Sequence, residues 1–351
     1  MTGTDGTQGT GDGGGPGGGT PAGAPGRAAA PPLRLAFSTL GVPGMPVADV
    51  ARLAAGAGYQ GVELRAHPEE PVHPLIGARE RAAVRAEFAA AGVEILAVAG
   101  YARVAAERDT AGEAELAQEL SELVLLAADL GAPYVRVFPG GGERPAEGAD
   151  ADAARRLAAV APLAAERGVR VLLETHDSHG TGAAAARVLG LVGHRSVGAL
   201  WDVLHTWRGG ERPVDTRAAL APYLGYVQVK DVVSAADPRP VPLGAGALPL
   251  ASALAALGPE PAAAHGPVPA PEGGYGLGAG GWLCWEYEKR WFPEAPELPG
   301  LLAAGRDHLR RLLDGVAAGA AAGDAAGGSP AVPPTPPAGV QEEGGTPDRS
   351  D

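Results

Sequence analysis

Cysteine is almost missing from this chain. Cys284 stands alone among 351 residues, which excludes an intrachain disulfide and fits a reducing compartment. Long apolar runs are missing too. No uninterrupted stretch reaches the roughly 18 residues a membrane-spanning helix needs, and the N-terminus has no basic segment followed by an apolar one, as a secretory signal would. A cytoplasmic protein with no membrane partner is expected. Positive charge is short as well: the net charge is -13 and the pI near 5.1. That balance argues against a nucleic-acid partner, because backbone binding needs a basic face. Lysine is scarcest of all. Only Lys230 and Lys289 stand among 28 basic residues, the rest being arginine. The bias reads as a GC-rich coding habit, so a lysine kept against it is a candidate for chemistry, or a chance survivor.

What the chain does have in excess, 55 glycines and 34 prolines, is unevenly spread. Positions 1–32 and 317–351 are Gly/Ala/Pro tracts with little to bury and read as disordered tails. Between them, positions 33–316 form one folded domain. Short apolar runs at 33–38, 61–65, 93–98, 134–138, 169–175, 197–202, 226–230 and 282–287 read as strands. Helical patterns fall at 47–57, 78–91, 113–130, 150–167, 182–191, 216–221, 249–257 and 298–313. Gly58, Gly92, Gly131 and Gly168 each stop a helix just before a strand, the glycine supplying a left-handed cap. Eight such units over this length predict a (β/α)8 barrel. An open doubly wound sheet would carry a G-x-G-x-x-G loop after its first strand, and STLGVPGMP contains none. A Gly/Pro-rich insertion at 258–280 reads as a lid or a slack loop.

In such a barrel the residues that end the strands converge on one mouth. They are Glu63, Arg65, Glu174, His176, Asp202, His205, Gln228, Lys230, Glu286 and Glu288. Burying this many carboxylates requires a compensating cation, and an oxygen-rich set suits Mg2+, Mn2+ or Co2+ more than Zn2+. Asp202 reads either as a ligand or as the cap of the next turn. Glu286 and Glu288 share a strand face, with Glu286 the deeper. Gln228 is either a ligand through its amide oxygen or a hydrogen-bonding core residue. Glu63 and Arg65 either orient substrate or close the pocket as an ion pair. Arg136 reads as a structural ion pair or an anion contact, and the loop HDSHG at 176–180, with His176, Asp177 and His179, as a solvated loop or a second metal site. The five tryptophans are read mainly as packing.

The segments ETH at 174–176, WDVLH at 201–205, VQVKD at 227–231 and GWLCWEYEKRW at 281–291 resemble the sugar phosphate isomerase/epimerase family with the xylose-isomerase-like TIM barrel. FSTLGVPG and GYQGVELR near the start resemble its first two strands. The resemblance spans 33–313. It implies one divalent metal ion (Mn2+, Mg2+ or Co2+, with Zn2+ as the alternative) held by Glu174, Asp202, Gln228 and Glu286. Many relatives carry His where this chain has Gln228. His205, Glu63, Arg65 and Glu288 are then expected to bind substrate, and Glu174, Glu286 and Lys230 to be catalytic.

The implied activity is isomerisation or epimerisation of a sugar or polyol-like hydroxy-ketone through a metal-bound enediolate. The alternative is a dehydratase acting on a cyclic hydroxy-ketone of dehydroshikimate or inosose type, and a third reading is a non-catalytic sugar-binding barrel. An apurinic-site endonuclease is disfavoured, since it needs a cluster of histidine ligands and a partner of opposite charge. A homo-oligomer is expected by analogy with relatives.

Overall fold

The computed structural model describes positions 33–258 and 281–326, without the side chains of the last eight. Eight parallel strands close on themselves in chain order. They are β1 (Arg34–Ser38), β2 (Gly61–Arg65), β3 (Glu94–Arg103), β4 (Tyr134–Phe138), β5 (Arg170–Glu174), β6 (Val197–Asp202), β7 (Leu224–Val229) and β8 (Trp282–Trp285). Closure comes from β1 pairing with β8, Ala36 opposite Cys284. The helices are α1 (Val47–Ala57), α2 (Ala78–Ala91), α3 (Thr110–Leu130), α4 (Ala146–Arg167), α5 (Gly182–Val192), α6 (Val203–Arg208), α7 (Pro213–Leu220), α8 (Leu250–Ala256) and α9 (Leu302–Ala326). The expected (β/α)8 barrel is the fold, and none of its described helices is long and apolar enough to cross a membrane.

Period-2 alternation sorts each strand into two faces. Val171 and Leu173, Ala199 and Trp201, Val227 and Val229, and Leu283 and Trp285 join the large core between sheet and helices. The intervening residues point inward. Ala36, Leu96, Ala97, Leu172, Leu200, Tyr226, Trp282 and Cys284 fill the lower barrel as a separate apolar cluster. One step further along the same strands the inward residues are Glu63, Arg136, Glu174, Asp202, Gln228 and Glu286, all buried. The interior therefore changes from apolar to charged at the strand ends, the side from which the helices leave.

The junctions behave as the glycine pattern predicts. Gly58, Gly92, Gly131, Gly168 and Gly193 sit in the left-handed region as helix caps, where a side chain would be strained.

Three local expectations are corrected. The strand predicted over 93–98 runs on to Arg103, because β3 breaks its register with β4 between Ala99 and Arg103 and then resumes pairing. The last strand stops at Trp285 rather than 287, so Glu286 begins the loop, anchored by its N–H donating to the Val229 carbonyl at 3.0 Å. The last helix carries on to Ala326, since the alanines of 317–326 favour helix over coil. The tails at 1–32 and from 327, and the insertion at 259–280, lie outside the described residues.

Candidate active site at the mouth of the barrel

Asp202 shows how the local sequence builds the site. It ends β6 and caps α6, its Oδ1 accepting from the Leu204 N–H at 2.8 Å. The cap leaves Oδ2 facing inward, 2.8 Å from Lys230 Nζ. The capping reading holds through Oδ1, and Oδ2 is left turned toward the mouth beside Lys230. Thr175 Oγ1 accepts from the Asp202 N–H at 2.9 Å and fixes the turn from the neighbouring strand.

Lys230, one of the two lysines, is buried in the middle of the acidic group. Its ammonium donates to Glu286 and to Glu288 Oε1, the latter at 3.0 Å, and also faces Asp202. Burial alone would push this amine down, but the carboxylates of Asp202, Glu286, Glu288 and Glu174 outweigh that and hold it well above its ordinary value. It is a fixed cation.

Gln228 is oriented by its amide nitrogen. Nε2 donates to Glu63 Oε2 at 2.9 Å, to Glu63 Oε1 at 3.1 Å and to Glu286 Oε1 at 3.3 Å. That spends the donors downward and leaves Oε1 buried without a hydrogen bond. Tyr226, two residues back on the same face, donates its hydroxyl to Glu63. Burial and the nearby Glu286 charge raise the Glu63 carboxyl, against the opposing pull of Arg136.

Glu174, at the end of β5, faces Arg136 on β4, with Nε 3.3 Å from Oε2. Burial lifts its carboxyl well above the usual range. Arg136 pulls it back, and the charges of Glu286 and Asp202 lift it further. A buried carboxylate at the strand end is placed to exchange a proton with a substrate held in the mouth.

The structure places His176, one of the residues expected at the mouth, beside His205. Its ring lies 3.9 Å from that of His205 and 4.7 Å from Phe138, centroid to centroid. Asp177 holds the ring from behind at 3.2 Å from Nδ1. Glu174, His176 and His205 bring one ligand atom each within 4.8 Å of one another. Burial, followed by the charges of His176 and Lys230, pushes the His205 imidazole well below its ordinary value, favouring the neutral form.

Glu63 and Arg65 do not pair with each other. Glu63 is taken by Tyr226 and Gln228, while Arg65 Nη1 donates to Glu70 Oε1 and Nε to the Tyr101 hydroxyl, both at 2.7 Å. Trp201 and Trp285 are fully buried outside the strands, as expected of packing residues.

The donor set fits a divalent cation. Glu174 Oε2, Asp202 Oδ2 and Gln228 Oε1 come from three adjacent strands and are buried; Gln228 Oε1 has no hydrogen bond, while Glu174 Oε2 and Asp202 Oδ2 face the charges of Arg136 Nε at 3.3 Å and Lys230 Nζ at 2.8 Å. Glu286 adjoins them through the shared Gln228 and Lys230 contacts. Unbonded buried acceptors are costly unless a cation meets them, and hard oxygen donors are those that magnesium and manganese prefer.

A profile of the xylose isomerase-like TIM barrel family matches residues 51–262. No curated protein sequence matches the chain significantly. Among solved structures, an L-ribulose 3-epimerase aligns with a TM-score of 0.65 at 16% identity, covering 83% of this chain and 97% of its own. The IOLI protein, described with a bound zinc atom, aligns at 0.63 with 18% identity over 82% of this chain and 99% of its own. The probable 3-DHS dehydratase AsbF of Bacillus anthracis, involved in petrobactin synthesis, aligns at 0.61 with 18% identity over 79% and 99%. At such identities the likeness speaks for the fold alone.

Proposed function

The chain belongs to the xylose isomerase-like TIM barrel family, and from that premise we propose that it is a metal-dependent isomerase or epimerase of a sugar or polyol-like hydroxy-ketone. The observation that carries this reading is the set of buried oxygens of Glu174, Asp202 and Gln228, the last without a hydrogen bond, gathered beside Glu286 at the strand ends. Glu174, Asp202, Gln228 and Glu286 would hold the ion. When bound, it supplies Lewis-acid polarisation of the carbonyl and its neighbouring hydroxyl.

The remaining chemistry belongs to the chain. Glu174 takes a proton from the carbon beside the carbonyl and returns it. Glu286, on the far side of β6 and β7, is the second carboxylate able to exchange one. Return from the opposite face epimerises; return to the neighbouring carbon isomerises. Lys230 keeps Glu286, Glu288 and Asp202 in register and presents a permanent positive charge to developing negative charge on oxygen. His205, neutral and partly exposed, hydrogen-bonds substrate hydroxyls at the rim, and Glu288 does the same from the loop after β8. Glu63 sits under this layer and holds the Gln228 amide.

The second reading is a dehydratase on a cyclic hydroxy-ketone. The same proton abstraction starts that reaction, and the kinship in fold with a probable 3-DHS dehydratase favours keeping it. The ion is expected to be Mn2+, Mg2+ or Co2+; the Glu174, His176 and His205 grouping is the arrangement that would favour Zn2+ instead.

Metal analysis of the purified protein, followed by NMR of deuterium uptake from D2O into a panel of ketoses and cyclic ketones, tests the proposal. Deuterium at the carbon beside the carbonyl is the expected result. Loss of water from the substrate would transfer the assignment to the dehydratase. Purified protein that binds no divalent ion and exchanges no proton would end the enzymatic reading.

A further inference from the structure

The opposite side of the mouth, from β2 to β4, has a surplus of the other kind. Arg65 and Arg136 are both buried, 1% and 3% exposed. Buried arginines normally spend all their N–H groups on partners; Arg65 spends Nε on the Tyr101 hydroxyl and Nη1 on Glu70, yet each of the two keeps nitrogens in reserve. Arg65 Nη2 has no hydrogen bond, and its ion-pair contact, Glu69 Oε2, is 3.9 Å away. Arg136 Nη1 and Nε are likewise without a hydrogen bond. The two guanidiniums flank one ring: the Arg65 carbon lies 5.2 Å and the Arg136 carbon 5.5 Å from the centroid of Tyr101. Phe138 stacks on Arg136 at 4.0 Å, and Trp291 stands 5.6 Å from Arg65. Aromatic faces fix the guanidinium planes without using their N–H groups.

Resting on the isomerase reading for the hydroxy-ketone end of the ligand, we propose that Arg65 and Arg136 form an anion subsite, so that the substrate carries a carboxylate or phosphate group remote from its reacting carbon. Two free guanidinium donors held by stacking suit either oxyanion. Arg136 joins the two ends of the ligand. It faces Glu174 through Nε at 3.3 Å and keeps Nη1 for the anion. Glu70 holds Arg65 in place, taking Nη1 at 2.7 Å while its other oxygen accepts from the Gly44 N–H at 2.9 Å.

The test is calorimetric binding to the full chain at saturating Mn2+, with three six-carbon ketose probes: neutral D-fructose, D-fructose 6-phosphate and 5-keto-D-gluconate. At least one anionic probe is expected to bind about tenfold or more tightly than fructose, and which one does so distinguishes phosphate from carboxylate. In Arg136→Met, and in Arg65→Met combined with Glu70→Gln to avoid an unpaired acid, the preference should fall to about twofold or less. Should either fail to give a cooperative melt, Arg65→Lys and Arg136→Lys keep a charge but lose the planar fork, and the preference should fall there too. Equal binding of all three probes by the wild type overturns the proposal, as does a preference that survives in folded variants. Because the readout is a ratio of affinities, it is independent of turnover. Anion preference without deuterium exchange would sink the isomerase reading alone, and exchange without anion preference would sink the subsite alone.

Discussion

The two halves of the barrel mouth are built from the same strand geometry and left incomplete in opposite senses. From β5 to β8, the inward positions carry Glu174, Asp202, Gln228, Glu286 and Glu288 around the single ammonium of Lys230, and the unbonded atoms are oxygens. From β2 to β4 they carry Arg65, Tyr101 and Arg136, and the unbonded atoms are guanidinium nitrogens. In a site built only for stability, arginines and carboxylates would satisfy one another. Here they meet at Arg136 against Glu174 and at Arg65 against Glu70, and each contact leaves guanidinium nitrogens over. Leaving both surpluses buried costs folding free energy. A fold keeps such a cost at a functional site, where ligand groups complete the pairing.

The largest effects should come from the acidic half. Glu174→Gln and Glu286→Gln each remove a proton-transfer group and should lower the rate of deuterium exchange by about 100- to 10,000-fold, measured by NMR at saturating metal. If both variants exchange at the wild-type rate, the acidic half is not the reacting half. Asp202→Asn should weaken divalent-ion binding by at least about 10- to 100-fold, the loss that even supporting residues of metal sites produce, read by competition with a chelator.

Lys230→Met sharpens the contrast through stability. It leaves Asp202, Glu286 and Glu288 without their ammonium, and breaking a buried pair of this kind costs about 3–5 kcal/mol. Chemical denaturation of metal-free protein should show that loss, and added Mn2+ should recover part of it. No recovery would mean that the three carboxylates do not share an ion. Gln228→His should keep the site intact while moving its metal preference toward zinc, as metal analysis after growth in mixed metals would reveal.

The smallest expected effect lies outside the mouth. Glu113, on α3, accepts from Arg155 and Arg156, which hold its carboxyl down at about 2. Arg156 Nη1 also donates to the carbonyls of Val104 and Ala106, at 2.6 and 2.7 Å, so the pair ties down the loop entering α3. A depressed carboxylate contributes stability that is fully present above its unfolded value of about 4.3 and is lost as pH falls toward about 2. Glu113→Gln should therefore be less stable than the wild type at neutral pH, and the gap should close between pH 4 and pH 2 in thermal melts.

The fold was legible because its signals are local. Glycines 58, 92, 131 and 168 each mark a helix end, and alternation along VRVLLE and YVQVK separates the outward residues from the inward ones. The candidate metal residues follow from the same count, since Glu174, Asp202 and Gln228 are the inward residues at or next to the ends of their strands. Arg136 was legible as an ion-pairing residue, but its partner was not. His176 was legible as a residue at the mouth, but its pairing with His205 was not, since the loop that carries it turns at Asp177 with a positive φ of 31°, which composition does not announce.

Strand order, the apolar lower barrel and the charged layer above it are written in the sequence alone, because period and capping act over a few neighbouring residues. Which charge meets which was decided only by closure of the barrel. Gln228 and Glu63 are 165 positions apart and Lys230 and Glu286 are 56 apart, yet each pair bonds across the ring. No local rule encodes a contact that exists only once the eight strands have shut into a circle.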